Sequence, residues 1–241
     1  MTTPHVRTDQ PISKDLVKHG FCIVNSNSFY ISSEIQESAA LLWNSWNCLE
    51  PDRYLKGANV FRYRRYGRFM VDSDAEIPVP QAKTTYLQSI EDNSYAGGIV
   101  RDFSPLLPEI FENTFLLALI MHDFNQVSRG FYLKSQCIVG VHQMRVIAAE
   151  GFWGHPTPEG IHRDGHDFNV IHLVSRENIV GGKSRIYDNN KILLASSCLH
   201  NNLDSIYLDD KRILHDVSPV LQATPALSGH RDIMTINFEF E

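Results

Sequence analysis

Apolar and polar positions alternate most clearly near the C-terminus, from Arg231 to Phe240. One set of alternate positions carries Met234, Ile236, Phe238 and Phe240. The other set carries Arg231, Ile233, Thr235 and Asn237. Such alternation is typical of a β-strand with two unlike faces. We therefore predict a strand whose apolar face packs on helices and whose other face, with Arg231, points into a barrel.

The first half of the chain has helical spacing instead. Residues 11–19 predict a short helix that ends near Gly20, and a strand is predicted directly after it, at residues 21–24. Apolar residues recur at three- and four-residue steps over residues 33–49, which predicts an amphipathic helix. Another helix is predicted from Pro108 through residue 121, because proline suits a first helical turn. This last helix is apolar on much of its surface and must be largely buried.

From Ser135 onward the pattern changes to short strands separated by turn residues. The predicted strands span residues 136–147, 161–164, 168–174, 183–188, 191–195, 205–208, 212–217 and 231–240. Short strands in this number are typical of a jelly-roll barrel closing around a pocket. The predicted fold class is therefore α+β, with a jelly-roll barrel core over about 135–241. N-terminal helices, in a support region over about 11–130, pack on its outer sheet.

Composition narrows the class of protein without choosing a reaction. A length of 241 residues suits one domain, taken as residues 1–241. A hydrophobic content of 43% with a net charge of −6 argues against disorder and against a general nucleic-acid surface. No apolar stretch approaches the roughly 20 residues of a membrane span. We expect a cytoplasmic protein with a small-molecule substrate, and the sequence leaves a homodimer open.

The four cysteines show neither a CxxC motif nor the spacing of a disulfide framework. The N-terminal residues also lack the apolar core of a signal peptide. Both observations favour reduced thiols inside a cell, and no chemistry is assigned to them.

The most informative polar motif is the pair His162 and Asp164. On a β-strand, residues i and i+2 point to the same face, so both side chains can reach one metal ion while Arg163 points away. A second histidine would complete a 2-His-1-carboxylate triad, which leaves coordination positions open and is typical of non-heme Fe(II) oxygenases.

Two later residues fit this interpretation. His215 lies in an apolar, β-branched run that Pro219 ends, which predicts a strand. Arg231 opens the alternating C-terminal strand and could hold a carboxylate beside the metal. Taken singly, each observation has a plainer explanation. A His-x-Asp pair arises by chance, His215 could be a core histidine, and Arg231 could be an ordinary charge at a strand end.

Two further histidines lie near the motif. His166 follows Asp164 by two residues and could substitute as a ligand, whereas His172 lies in an apolar run and is expected to hydrogen-bond in the core. We keep both outside the metal set.

A longer set of motifs resembles the bacterial Fe(II)/2-oxoglutarate dioxygenase family that includes free L-isoleucine hydroxylases. The matching motifs are Pro156–Gly165, Gly181–Gly182, His215–Pro219 and Arg231–Asp232, with a fainter similarity at residues 61–69. The resemblance runs from about Val139 to Phe240. It implies a double-stranded β-helix that uses Fe(II), 2-oxoglutarate and dioxygen.

The same resemblance implies roles for individual residues. His162, Asp164 and His215 would be the iron ligands, and Arg231 would bind the C5 carboxylate of 2-oxoglutarate. Many oxygenases of this kind have Ser or Thr two residues after that arginine, whereas this chain has Ile233. A second contact to the C5 carboxylate is therefore unassigned.

Substrate contacts are predicted from surplus polar residues. In the run from Arg62 to Arg68, Arg64 and Arg68 share one face of an extended strand and could each bind a carboxylate by a bidentate pair. A solvated charged strand, or nucleic-acid binding by interleaved basic and aromatic residues, is the alternative. Further candidates are Gln143, Arg145 and Glu159.

Glu159 belongs to a loop rich in Gly and Pro, residues 153–160, directly before His162. The loop is either an active-site lid or a plain connection with packing aromatics.

We thus expect an Fe(II)- and 2-oxoglutarate-dependent amino acid hydroxylase that acts on an aliphatic C–H bond of a small substrate, a free L-amino acid. Two other classes of protein share these features. One is a cupin-like isomerase or hydrolase that uses zinc or manganese without 2-oxoglutarate. The other is a jelly-roll binding module without enzyme activity.

Overall fold

A computed structural model describes residues 5–56, 60–72, 74, 76–82, 85–91, 93, 95–131 and 136–241. Residues 1–4 and Ser135, the predicted start of the barrel, lie outside the described residues. The helices are α1 (Ile12–His19), α2 (Gln36–Asn44), α3 (Pro108–Phe111) and α4 (Thr114–Ser128). In the part of the chain that the structure describes, no helix is both long and apolar enough to cross a membrane.

Strands make up most of the regular structure. In chain order they are β1 (Val6–Thr8), β2 (Phe21–Val24), β3 (Phe29–Ile31), β4 (Glu50–Pro51), β5 (Arg62–Asp72), β6 (Val79–Gln81), β7 (Thr85–Tyr86), β8 (Arg101–Asp102), β9 (Gln136–Ala148), β10 (Phe168–Glu177), β11 (Ile179–Gly181), β12 (Ser184–Tyr187), β13 (Leu193–Ser197), β14 (Ser205–Asp209), β15 (Leu214–Val217), β16 (Val220–Gln222) and β17 (Gly229–Phe240).

Eight strands form the major sheet, in the order β2-β14-β10-β17-β9-β5-β4, with β6 paired to β5. All of its strand pairs are antiparallel. Two smaller sheets, β13-β12-β15 and β11-β16, accompany it. Isolated bridges join Gly154 to Val220 and His162 to His215, and so tie the loop before β10 to the smaller sheets.

The two faces of β17 differ as the alternation predicts. Met234, Ile236 and Phe238 belong to a core cluster that also contains Leu42 of α2 and Leu119 of α4. Since burial of apolar side chains is the main favourable contribution to folding, this shared cluster holds the helices against one face of the major sheet.

On the opposite face of β17, Ile233 packs in a second cluster. That cluster includes Leu173 of β10 and Ile186 of β12, so it lies between the major sheet and a smaller one. Arg231, Thr235 and Asn237 line a cavity on the same face. The prediction that this face of the strand points inward is confirmed.

Helix boundaries agree with the sequence in one case and differ in another. α1 ends where predicted, at Gly20, whose φ of 80° is the left-handed conformation that glycine adopts most readily. The helix predicted over residues 108–121 is instead divided into α3 and α4. The Asn113 side chain accepts a hydrogen bond from the Leu116 backbone N–H (2.9 Å) and caps α4, because asparagine competes well for free N–H groups at a helix start.

Candidate metal centre and its cavity

His162, Asp164 and His215 converge on one point. Each offers a ligand atom, and these atoms lie within 4.8 Å of one another. His162 Nε2 is 3.5 Å from Asp164 Oδ1, and His215 Nε2 is 3.9 Å from Asp164 Oδ2. The three side chains can therefore bind a single ion from one side and leave its other positions open.

The backbone that presents these residues is not the predicted strand over residues 161–164. His162 forms a two-way backbone bridge with His215 (N···O 3.0 and 2.8 Å), and the chain then turns at Gly165, whose φ is 83°. Asp210 accepts hydrogen bonds from the backbone N–H groups of Asp164 (3.1 Å) and Gly165 (2.7 Å). The His-x-Asp pair is therefore positioned by a backbone bridge and by a turn that the Asp210 carboxylate stabilises, and not by a strand.

Neighbouring polar groups orient the ligand side chains. His162 Nδ1 lies 3.0 Å from the Gly160 carbonyl oxygen, which leaves Nε2 facing Asp164. Gln88 Nε2 donates to Asp164 Oδ1 (3.4 Å), and the Asn169 amide donates to Asp164 Oδ2. Such supporting hydrogen bonds are typical of metal sites, where they fix the orientation of each ligand.

Burial and mutual charge perturb all three groups. Burial disfavours charged His162, but the hydrogen bond and charge of Asp164, and then Glu159, outweigh it and raise the pKa to about 9. Burial, followed by the charge of His162, lowers the pKa of His215 to about 4. Burial opposes ionisation of Asp164, yet its hydrogen bond to His162 and the charges of the two histidines hold its pKa well below the usual range. The carboxylate is thus ready to bind a cation.

Arg231 lines the same cavity and is 1% exposed, with none of its three guanidinium nitrogens hydrogen-bonded in the described structure. Burial, and then the charge of Arg176, lowers the pKa of Arg231 to about 10. Gly182 lies against it, since a Cβ at this position would come 3.2 Å from Arg231 Cδ. A buried cation with free donors is an incomplete ion pair, and its chemistry fits a carboxylate ligand.

Two of the predicted substrate-binding residues lie at the cavity. Arg64 lines it from β5, with its guanidinium carbon 4.1 Å from the centre of the Phe103 ring. Glu159 lines it from the loop before His162, and its Oε1 is 3.3 Å from His162 Nε2. Pro156 and Thr157 of the same loop also line the cavity.

The other three predicted substrate contacts do not line this cavity. Gln143 and Arg145 lie on the opposite face of β9, where Gln143 donates to Ser45 Oγ (2.7 Å) and Arg145 forms a bidentate pair with Asp232 (2.7 Å for both bonds). Arg68 shares a face with Arg64 but lies four residues further along β5 and lines a separate cavity. Gln143 and Arg145 therefore face away from this cavity, and Arg68 lies further along β5 than the residues that line it.

Several cavity residues carried little sequence signal. Arg62 could have been found from its place on the same face of β5 as Arg64, whereas Tyr86, Gln88 and Arg101 come from a segment with no clear periodicity. Arg62 forms an ion pair with the buried Asp52 (2.8 Å). Arg101 is 3% exposed and donates to Gln88 Oε1.

The two extra histidines have other partners. His166 Nε2 lies 3.2 Å from the Tyr86 hydroxyl oxygen. His172 is fully buried between Ser205 Oγ (2.6 Å) and Asp123 Oδ2 (2.8 Å), which confirms the prediction of a core histidine.

Comparison with known proteins places this geometry in a family context. The sequence profile of the family described as 2OG-Fe dioxygenase matches residues 43–237. An L-isoleucine-4-hydroxylase from Bacillus thuringiensis is 24% identical over 222 residues, which cover 90% of this chain and 89% of that protein. A 3(1)-hydroxy-L-isoleucine 4-dioxygenase from Pantoea ananatis is 25% identical over 182 residues, or 74% and 72% of the two chains.

A solved structure has the same fold along nearly the whole chain. The crystal structure of a bsmA homolog from Methylobium petroleophilum PM1 superposes with a TM-score of 0.79 at 26% identity, covering 98% of this chain and 96% of that one. The match spans the strands and loops that carry the metal-ligand candidates and Arg231.

Proposed function

The chain belongs to the 2OG-Fe dioxygenase family, and from this premise we propose that it hydroxylates an aliphatic C–H bond of a free L-amino acid. The proposal is supported by one cavity that holds a two-histidine, one-carboxylate cluster and a buried arginine, whose guanidinium has no hydrogen-bond partner among the described residues. The first suits Fe(II), and the second suits an oxo-acid cosubstrate.

In this proposal His162, Asp164 and His215 hold the iron. When bound, Fe(II) with 2-oxoglutarate and dioxygen supplies the oxidant, and the net reaction yields hydroxylated substrate, succinate and carbon dioxide. The protein's own contribution is to fix the ligands: the Gly160 carbonyl orients His162, and the Gln88 amide orients Asp164.

Arg231 binds the C5 carboxylate of 2-oxoglutarate by charge pairing. Its three guanidinium nitrogens are buried and have no hydrogen-bond partner among the described residues, so a carboxylate would pair with them in surroundings from which water is excluded. The role is binding and orientation, and no proton transfer is required of it.

An amino acid substrate is supported by the names of the two relatives and by the charges around the cavity. Arg64 offers a cation for the substrate carboxylate, and Glu159 offers an anion for the substrate ammonium. Opposite charges at two points of one cavity suit a zwitterion, since each end of the ligand then gains a complementary partner.

We also propose an architecture for the whole chain. The shared core supports a double-stranded β-helix covered by the N-terminal helices, as one domain. A cytoplasmic location is supported by the four cysteines, all of which are free thiols.

A substrate panel tests the proposal. The protein is loaded with Fe(II) and 2-oxoglutarate without oxygen, each free L-amino acid is added in turn, oxygen is admitted, and succinate and hydroxylated product are measured. We expect one or more aliphatic amino acids to raise succinate above the level formed without substrate, together with an equivalent amount of product. If no amino acid does so while 2-oxoglutarate still binds, the substrate class is wrong and the family assignment stands.

A further inference from the structure

The cavity contains more positive charge than its own acidic partners neutralise. Arg62, Arg64 and Arg101 all line it and are all buried. Asp52 pairs with Arg62 (2.8 Å) and lies 3.5 Å from Arg64. Among the described residues, no carboxylate forms an ion pair with Arg101, and its Nε has no hydrogen-bond partner. A buried guanidinium of this kind favours the binding of an anion, because an unpaired buried charge is costly in free energy.

Aromatic rings hold Arg64 and Arg101 in place. The Arg64 guanidinium carbon lies 4.1 Å from the centre of the Phe103 ring, and that of Arg101 lies 4.8 Å from the centre of the Tyr86 ring. Both contacts are in the range of cation–π interactions. Arg64 Nε also has no hydrogen-bond partner in the described part of the chain. Two positioned guanidiniums with free donors in one cavity form a site for a single carboxylate.

Gln88 connects this site to the metal centre. It is 5% exposed, and its Nε2 donates to the Asp164 carbonyl oxygen (3.0 Å) and to Asp164 Oδ1 (3.4 Å). Its Oε1 accepts from Arg101 Nη2 and from Asn93 Nδ2 (3.0 Å). The amide accepts from a cation through its oxygen and donates to a carboxylate through its nitrogen, so both neighbours fix the same orientation.

Backbone hydrogen bonds within the segment that carries Gln88 fold it into a turn. The Gly98 N–H donates to the Gln88 carbonyl oxygen (2.8 Å), and the Gly97 N–H donates to the Asn93 carbonyl oxygen (2.7 Å). A Cβ on Gly97 would come 2.1 Å from the Ser89 carbonyl oxygen, so this turn requires glycine. The backbone thus holds Gln88 between Arg101 and Asp164.

We propose that Arg101 is, with Arg64, the second contact for the substrate carboxylate, and that Gln88 positions the metal ligand Asp164 in response to occupation of that contact. The proposal rests on the function proposed above. It goes further by naming the residue that connects substrate binding to the metal centre. Gln88 is a positioning residue, since it touches Asp164 and Arg101 and acts through them.

This arrangement has a consequence for coupling between the two half-reactions. Gln88 donates to Asp164 Oδ1 and the Asn169 amide donates to Oδ2, so loss of Gln88 removes one of the contacts that orient the metal ligand. Oxidation of 2-oxoglutarate should then proceed with less dependence on substrate. Loss of Arg101 should instead weaken binding of the amino acid and leave 2-oxoglutarate binding unchanged, because Arg231 is the cation proposed to bind that carboxylate.

The test uses Gln88→Met, Arg101→Met and the control Arg68→Met in the full-length chain. Arg68→Met removes one cation from the strand face that also carries Arg64. Arg68 itself lines a separate cavity. For Arg101→Met we expect a KM for the amino acid raised about 30-fold or more, with the KM for 2-oxoglutarate within about threefold of the parent. For Gln88→Met we expect the ratio of succinate to hydroxylated product to rise at least severalfold, with little change in the KM for the amino acid.

A spectroscopic readout separates positioning from a general structural role. Without oxygen, the visible charge-transfer band of the Fe(II)–2-oxoglutarate complex is recorded before and after adding the amino acid. We expect the substrate-induced change of this band to be lost in Gln88→Met and retained in Arg68→Met. Thermal unfolding of each variant checks that it folds.

Two results would overturn the proposal. The first is a Gln88→Met protein with the parent ratio of succinate to product and the parent spectral response. The second is an Arg101→Met protein in which both KM values rise equally. Failure of the proposed function gives a different result, because the parent protein itself would then respond to no amino acid.

Discussion

Replacing Arg231 by methionine should weaken 2-oxoglutarate binding and at the same time stabilise the metal-free protein. Arg231 is fully buried, and its guanidinium has no hydrogen-bond partner in the described structure. Its pKa is lowered from 12.5 to about 10. A shift of that size corresponds to roughly 3 kcal/mol of disfavoured charge, taking 1.36 kcal/mol per pKa unit. Methionine fills similar space without the charge and should recover part of this free energy.

The effect on the cosubstrate has the opposite sign. Truncating one partner of a buried, hydrogen-bonded charge pair costs about 2–5 kcal/mol, which is about 30-fold to several thousand-fold in affinity. Titration calorimetry of 2-oxoglutarate into the zinc-substituted protein measures this change without turnover. Denaturant unfolding of the metal-free protein, followed by circular dichroism, measures the stability.

Arg68→Met is the matched control, because it removes one arginine from a half-buried position outside the metal-site cavity. We expect Arg68→Met to leave the affinity for 2-oxoglutarate unchanged and not to stabilise the metal-free protein. A structural role for Arg231 predicts the reverse of our expectation, namely lower stability with little loss of 2-oxoglutarate affinity. That result would refute the reasoning.

Three further predictions concern Asp123, Gly182 and Arg64. Burial opposes ionisation of Asp123, but the charge of His172 and the histidine hydrogen bonds outweigh it and lower the pKa from 3.8 to about 2. The resulting stabilisation, about 2 kcal/mol, is present above pH 4 and lost as the pH falls towards 2, so Asp123→Asn should flatten the unfolding free energy between pH 5 and pH 2. Gly182→Ala should raise the KM for 2-oxoglutarate in steady-state assays, since its φ is 65° and its Cβ would lie 3.2 Å from Arg231 Cδ. Arg64→Met should raise the KM for the amino acid and leave that for 2-oxoglutarate unchanged, and an equal rise in both would contradict its role.

The elements that the sequence predicts correctly are those whose own residue pattern indicates a buried face or a chain end of the element. β17 was assigned correctly because one face is continuously apolar and the other is mixed, and only the apolar face can pack on helices. α1 was assigned because Gly20 ends it. The break between α3 and α4 was missed because the apolar pattern continues across Asn113, and a cap inside such a pattern depends on local hydrogen bonds.

The candidate site likewise contains residues that lie where the sequence places them and residues that do not. The two histidines and Asp164 are predicted as ligands from spacing and from the resemblance, and the structure brings them together, although the predicted strand is a bridge and a turn. Gln143 and Arg145 do not line the cavity, because alternation along β9 separates two faces without indicating which one lines it. Both polar residues lie on the helix side of β9, where Gln143 donates to Ser45 Oγ and Arg145 pairs with Asp232.

Gln88 and Arg101 were not predicted at all. They lie in a segment without periodic hydrophobicity, and their importance arises from contacts with Asp164 and from a cavity formed by distant parts of the chain. Contacts of this kind depend on tertiary structure and have no local pattern.

Anaerobic titration of the metal-free protein with Fe(II) and 2-oxoglutarate tests the central claim most directly. We expect a visible charge-transfer band that grows to a stoichiometric end point and is absent in Asp164→Ala. The band requires both the metal and the chelating oxo-acid in one site, which neither a zinc-dependent hydrolase nor a simple binding module needs. A parent protein that folds, binds Fe(II) and yet gives no band with 2-oxoglutarate would contradict the claim.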